Sequence, residues 1–277
     1  MKILISLCLL LLTTFSYSQR LIVRGDDMGY SHSGNLALVE SFKKGIQKSI
    51  EVIVPSPWFP EAVRLLRENP GVDIGIHLAL TSEWENIKWR PLTDCPSLKD
   101  SNGYFYPMIS AHPAYPGQSV KENKWTIADV EKEFRAQIEL ALKHLPSISH
   151  VSAHMGCTRL SPEVAELTRR LVKEYGLPVD AEPAALSYIG YEGPHKTKSE
   201  KFASFKKMID QLEKGKDYLF LDHPGFDNDE LKAIWHTGYE DVASDRQGVT
   251  DLFTSREILD YIKKKGITLI SYADLVK

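Results

Sequence analysis

The stretch RLIVRGDD at residues 20–27 decides the fold. Residues 20–24 form a short apolar run with β-branched residues at its centre, the composition of a buried strand, and Gly25 reads as its end. Asp26 and Asp27 follow at once. Strand-like runs recur further along, at 49–54 (stopped by Pro55), 72–77, 148–153, 177–180, 218–221 and 267–270. Helical patterns lie between them, at 35–44, 59–68, 127–144, from 161 onward, 202–212 and 255–264. In 59–68, for example, Ala62, Val63, Leu65 and Leu66 share one face. Thr126 caps the longest helix, which closes before Pro146, and Ser161-Pro162 supplies a cap and a first-turn proline to the next. About seven strands alternating with helices imply a parallel sheet. The regular spacing predicts a single-domain α/β fold over 19–277, a distorted TIM-like (β/α) barrel, with a doubly wound open sheet as the alternative. No GxGxxG or GxxxxGK[ST] follows the first strand, so no nucleotide-binding motif is present.

The 277-residue chain is 43% hydrophobic and 26% charged, with a formal net charge of −3, which suits a globular protein and argues against nucleic-acid or polybasic membrane-surface partners. Its first residues read separately. Lys2 precedes an apolar run at 3–12, and small polar residues with Ser16 and Ser18 lead to Gln19. This is the layout of a signal peptide over 1–18, cleaved before Gln19. The apolar run is about half of the roughly 20 residues a membrane span needs. The expectation is a secreted or periplasmic protein with no membrane span after cleavage. Cys8 leaves with the leader. Cys95 and Cys157 could pair in an oxidising compartment, but free thiols are favoured.

Chemistry-bearing residues collect just after the predicted strands. Asp26 and Asp27 follow the first, His77 ends the third, His154 follows the fourth, and Asp222-His223 follows the sixth. In a parallel barrel these strand ends share one face, where active sites are built. Each has a plainer reading by itself: Asp26 and Asp27 as capping or turn residues, His77 as a hydrogen-bonded core histidine, His223 before Pro224 as a turn residue. Their shared position weakens those readings together. His150, four residues before His154 on the same strand face, reads as core or as support behind the site. Asp and His donors suit a divalent metal such as zinc, manganese or iron, and a catalytic site keeps three protein ligands and an open position.

Five segments then resemble, in order, the YdjC-like carbohydrate deacetylases, a family of the polysaccharide deacetylase superfamily that includes chitooligosaccharide deacetylase. The opening LIVRGDDMGYSHSGNLALVESFKKGI matches at Asp26, Asp27 and Gly29. IGIHLALTSEW matches a Gly-x-His-x-x-Leu-Thr segment at Gly75, His77, Leu80 and Thr81. SHVSAH resembles a His-x-Asp-Ser-His segment at His150 and His154, DHPG a His-Pro segment at His223 and Pro224, and DRQGVTDLFTSREI a late Arg segment at Arg246, Thr254 and Ser255. The resemblance implies a distorted TIM-like barrel that removes acetyl groups, N-acetyl first, from amino sugars or oligosaccharides with one divalent metal. Zinc or magnesium comes first, and manganese, cobalt and nickel are also compatible. It implies Asp27, His77 and His154 as metal ligands and, by analogy with the wider polysaccharide deacetylases, Asp26 as general base; His223 is the candidate general acid, and Arg246 is read as orienting a carboxylate or touching substrate. The chain departs from the pattern at Ser152, where the family has Asp, and at Gly156 and Thr158, where it has histidines. The familiar chitobiose specificity is therefore not carried over. Cys157 beside the site reads as a buried bystander.

The segment 81–125 is long for a connection and holds seven aromatic residues, so it reads as a functional loop. Trp84 and Trp89, nearest His77, are the candidates for stacking on sugar; packing of the loop onto the barrel is the equal alternative. Two other functions compete with deacetylation. One is a barrel that binds glycans without catalysis. The other is a metal-dependent hydrolase of a different bond, such as a phosphoester, with Arg24 and Arg246 on the phosphate.

Overall fold

The computed structural model describes residues 18–179 and 186–276. The expected leader at 1–18 therefore lies outside the described residues except for Ser18. The elements in order are β1 (Arg20–Met28), α1 (His32–Lys44), β2 (Ser49–Val52), α2 (Phe59–Glu68), β3 (Asp73–Leu78), α3 (Ile127–His144), β4 (His150–Ala153), α4 (Pro162–Glu174), β5 (Leu186–Ile189), α5 (Lys198–Asp210), β6 (Asp217–Asp222), α6 (Asp229–Lys232), α7 (Val242–Phe253), α8 (Arg256–Lys264) and β7 (Thr268–Ile270).

Every ladder among the described residues is parallel, and the sheet runs β4-β3-β2-β1-β6-β5. β6 pairs with β1 from Arg20 to Gly25 along one edge. The other edge is shared: β7 pairs with residues 20–22 and β2 with the later part. Among the described residues no ladder joins β4 to β5, so the sheet curls into an open barrel.

Alternation along the strands sorts the residues by face. Outward residues such as Ile50, Val52, Ile74 and Ile76 join side chains of α1 to α4 in one large core. Leu21, Val23 and Phe220 pack beneath α5, α7 and α8 in a second. Each such buried side chain contributes about 1.5–3 kcal/mol. Inward residues are different. Ile22, Leu186, Leu219, Ile270 and Tyr272 form a small cluster that no residue of α1 to α8 enters. Above it the inner face turns polar, with Arg24, Asp26, Ser49, Glu51, His77 and His150 all buried. Helices on one face and an enclosed polar interior on the other make this the distorted barrel, not the doubly wound alternative.

Several boundaries differ from the sequence reading. β1 does not stop at Gly25 but runs to Met28. α1 starts at His32 because Ser31 caps it, its Oγ accepting from Gly34 N at 2.9 Å. The strand expected at 177–180 is absent over 177–179, and Asp180 lies outside the described residues. Pro178 has no N–H for a ladder, and Val179 donates its own to Ser149 O at 3.1 Å instead. The fifth strand is Leu186–Ile189, whose Ser187 and Tyr188 are exposed, so its apolar signal is weak. α7 was not foreseen because its buried side includes Arg246, Gly248 and Thr250. Cys95 and Cys157 are buried free thiols.

Candidate metal centre and active site

The end of β1 does something a regular strand cannot. Adjacent side chains should point to opposite faces, yet Asp26 and Asp27 both line one cavity. The β1–β2 register shifts between Gly25 and Met28, and Asp27 has φ of 71°. A left-handed conformation costs a non-glycine residue about 1–3 kcal/mol, and such strain collects at functional sites. Gly29 follows at φ 110°, and its N–H donates to Asn35 Oδ1 at 2.7 Å, which holds the turn.

The cavity has a volume of about 440 Å³ and opens at the C-terminal ends of the strands. Asp27, His77 and His154 each offer one ligand atom to it, all within 4.8 Å of one another. His77 Nε2 lies 3.5 Å from Asp27 Oδ1, and His154 Nδ1 lies 3.1 Å from the same oxygen. One buried carboxylate and two buried imidazoles within that span fit a divalent ion in number and in donor type. Burial alone would raise the Asp27 pKa, but the facing His223 and His154 pull it well below the usual carboxylate range. The carboxylate is thus held as an anion, the form that binds a cation.

Asp26 stands beside this cluster, its Oδ2 3.8 Å from His77 Nε2. Arg24 clamps it with a bidentate pair, Nε to Oδ1 at 2.7 Å and Nη2 to Oδ2 at 2.8 Å. The third nitrogen of Arg24 donates to Tyr272 Oη at 2.9 Å, so the guanidinium is anchored in turn. His223, after β6, points Nε2 to Asp27 Oδ2 at 3.7 Å while Nδ1 faces Asp222 Oδ1 at 3.4 Å. Burial would lower the pKa of His223, but Asp27 and Asp222 raise it overall, which favours a ring ready to give a proton.

Arg246 of α7 donates to Asp27 Oδ2 at 3.0 Å. Its guanidinium lies over the rings of Tyr30 and Trp84, at 4.5 and 5.1 Å. Trp84 also lines the cavity, but it is 2% exposed, so it serves as a wall. Trp89 does not reach the cavity. It is buried behind His154, with ring centroids 6.1 Å apart, so packing of the loop accounts for it. The exposed ring on the cavity is Tyr188 of β5, at 54%.

Two acidic side chains at the site, Glu83 and Glu51, were not singled out from the sequence. Glu83 contacts His154 Nε2 at 2.9 Å. Glu51 of β2 and Ser152 of β4 stand behind His77. The available signal for Glu51 was an acidic residue between the apolar Ile50 and Val52 of β2. Gly156 is also explained: Met155 and Gly156 have φ of 48° and 71°, and this left-handed pair turns the chain sharply after His154.

A model of the YdjC-like protein family matches residues 20–264. A carbohydrate deacetylase from Listeria monocytogenes is 27% identical over 266 residues, covering 92% of this chain and 100% of that protein. Another carbohydrate deacetylase, from Brevibacillus brevis, is 28% identical over 278 residues, covering 92% and 99%. A third, from Thermus thermophilus, is 36% identical over 174 residues, covering 63% of this chain and 57% of that protein. Among solved structures, a candidate cellobiose-phosphate cleavage protein from Enterococcus faecalis superposes with a TM-score of 0.74 at 22% identity, over 94% of this chain and 100% of that one. With the family model spanning the barrel from β1 through α8, the chain belongs to the YdjC-like protein family.

Proposed function

We propose that this chain is a metal-dependent carbohydrate deacetylase that releases acetate from acetylated amino sugars or oligosaccharides. The observation that carries this is the convergence of Asp27, His77 and His154 within 4.8 Å, flanked by Asp26 and His223, on one cavity. The full-length relatives named carbohydrate deacetylase support the substrate class. Asp27, His77 and His154 would hold one divalent ion, with zinc or magnesium as first candidates. When bound, such an ion polarises an acyl carbonyl and lowers the pKa of water from 15.7 toward about 7 in favourable cases.

The chain's own groups divide the proton transfers. Asp26, held by Arg24 through both oxygens, takes the proton of the attacking water. His223 gives a proton to the departing sugar nitrogen. General acid and base groups contribute typically about 10²–10⁴-fold each. Arg246 and Trp84 form the inner wall, and Tyr188 offers an exposed ring for a sugar face. We place the protein outside the cytoplasm, through the leader at 1–18. No helix among the described residues is long and apolar enough to cross a membrane.

The test is acetate release from a panel of N-acetylglucosamine, its β-1,4 oligomers and O-acetylated sugars, with and without added zinc or magnesium. Metal-dependent acetate from at least one N-acetylated member supports the proposal. No acetate from any member, in protein shown to carry metal, refutes it.

A further inference from the structure

His77 is held from behind by a chain of hydrogen bonds with only one possible direction. Its Nδ1 lies 2.7 Å from Ser152 Oγ. The Ser152 hydroxyl donates to Glu51 Oε2. A hydroxyl has one proton, so the oxygen that gives it to a carboxylate can only accept from the imidazole. His77 therefore carries a proton on Nδ1, and Nε2 is the nitrogen that faces Asp27. Glu51 is fully buried and is itself fixed: His150 Nε2 lies 2.8 Å from Oε1, and Ser49 Oγ donates to the same oxygen at 3.1 Å. Gly75 leaves the space, since a Cβ there would overlap Glu51 Oε2.

We propose that Glu51, acting through the Ser152 hydroxyl, is the positioning carboxylate that sets the His77 tautomer. The motif that this segment resembles has Asp at the place of Ser152; here the negative charge comes from β2 and the hydroxyl spans the gap. Histidines that bind metals generally give their other N–H to such a partner, which fixes ring orientation and basicity. The inference deepens the proposed metal centre, and its first readout does not depend on metal.

The experiment is nitrogen-15 NMR of histidine-labelled, metal-free protein, with His77 assigned by its loss in His77→Gln. The expected result, at a pH where the ring is neutral, is a protonated Nδ1 and an unprotonated Nε2 in the parent. Ser152→Ala, which leaves the Glu51–His150 contact in place, should mix or reverse the tautomers. Glu51→Gln should act in the same direction, and Glu51→Gln/Ser152→Asp, with the carboxylate moved to β4, should restore the parent pattern. A parent protonated at Nε2, or Ser152→Ala with the parent pattern, overturns the proposal. The second readout is zinc affinity by calorimetry, expected to fall about 10–100-fold in Ser152→Ala. Affinity within twofold of the parent would overturn the positioning role. A parent with the stated tautomer and no zinc uptake would overturn the metal centre and leave the Glu51–Ser152 assignment standing.

Discussion

Adding one methyl group at Gly75 strikes the support of the site without touching the cavity. Gly75 lies on β3, two residues before His77 and on the same face. A Cβ there would overlap Glu51 Oε2 and lie 2.5 Å from His150 Nε2. Glu51 is not a free side-chain end, because Ser152, His150 and Ser49 all hold it. Relief of the clash must break at least one of those contacts. Overpacking costs about 1–3 kcal/mol, and a buried hydrogen bond to a charged group about 1.5–3 kcal/mol. Gly75→Ala is therefore expected to lose about 3–5 kcal/mol, a large part of a total stability of about 5–15 kcal/mol. At about 2–4 °C per kcal/mol for a domain of this size, Tm falls by about 6–20 °C. The assay is thermal unfolding of the metal-free protein followed by circular dichroism. Gly190→Ala is the control, since no described atom lies within 4 Å of its Cβ position. A Tm for Gly75→Ala within about 2 °C of that control, a shift worth about 1 kcal/mol or less, would refute the reasoning.

Three other outcomes follow from the geometry. Asp26→Asn should keep metal and lose about 10²–10⁴-fold in turnover, whereas His77→Ala should lose both; metal titration beside acetate release separates them, and equal metal loss contradicts the division of roles. In the metal-free protein, burial lowers the pKa of His154, but Glu83 and Asp27 outweigh it and raise it to about 10. That stabilisation is complete below the unfolded value of 6.5 and is lost as pH rises through about 10, so Tm should fall across this range more steeply than in His154→Gln; parallel curves would argue against the protonated cluster. Tyr188→Ala should raise KM several-fold with kcat and Tm little changed, and an unchanged KM across the sugar panel would remove Tyr188 from substrate binding.

The legible part of the fold was the part with strong periodicity. α2 and α3 lie at the expected residues because their apolar faces and end signals agree. β1 was visible from its β-branched core, but its extension through Asp27 depends on a register shift that no local pattern announces. β5 and α7 were missed because their faces mix polar and apolar residues for the sake of the cavity and of Arg246. At the site, order along the chain identified residues that end neighbouring parallel strands. It did not identify Glu51 as the partner of Ser152, 101 residues away, because that contact exists only through the pairing of β2, β3 and β4. Trp89 shows the reverse: its place in sequence left sugar stacking and loop packing equally open, and the loop folds its ring behind His154.

The central claim is that Asp27, His77 and His154 hold a divalent ion. It is tested most directly by metal stoichiometry, measured by elemental analysis after exposure to zinc, magnesium, manganese, cobalt and nickel, on the parent and on the His77→Ala/His154→Ala variant. The account expects about one ion per parent chain and none in the folded variant, in line with a three-ligand catalytic site. A parent without metal under all five conditions, or a variant that binds as well as the parent, would contradict it.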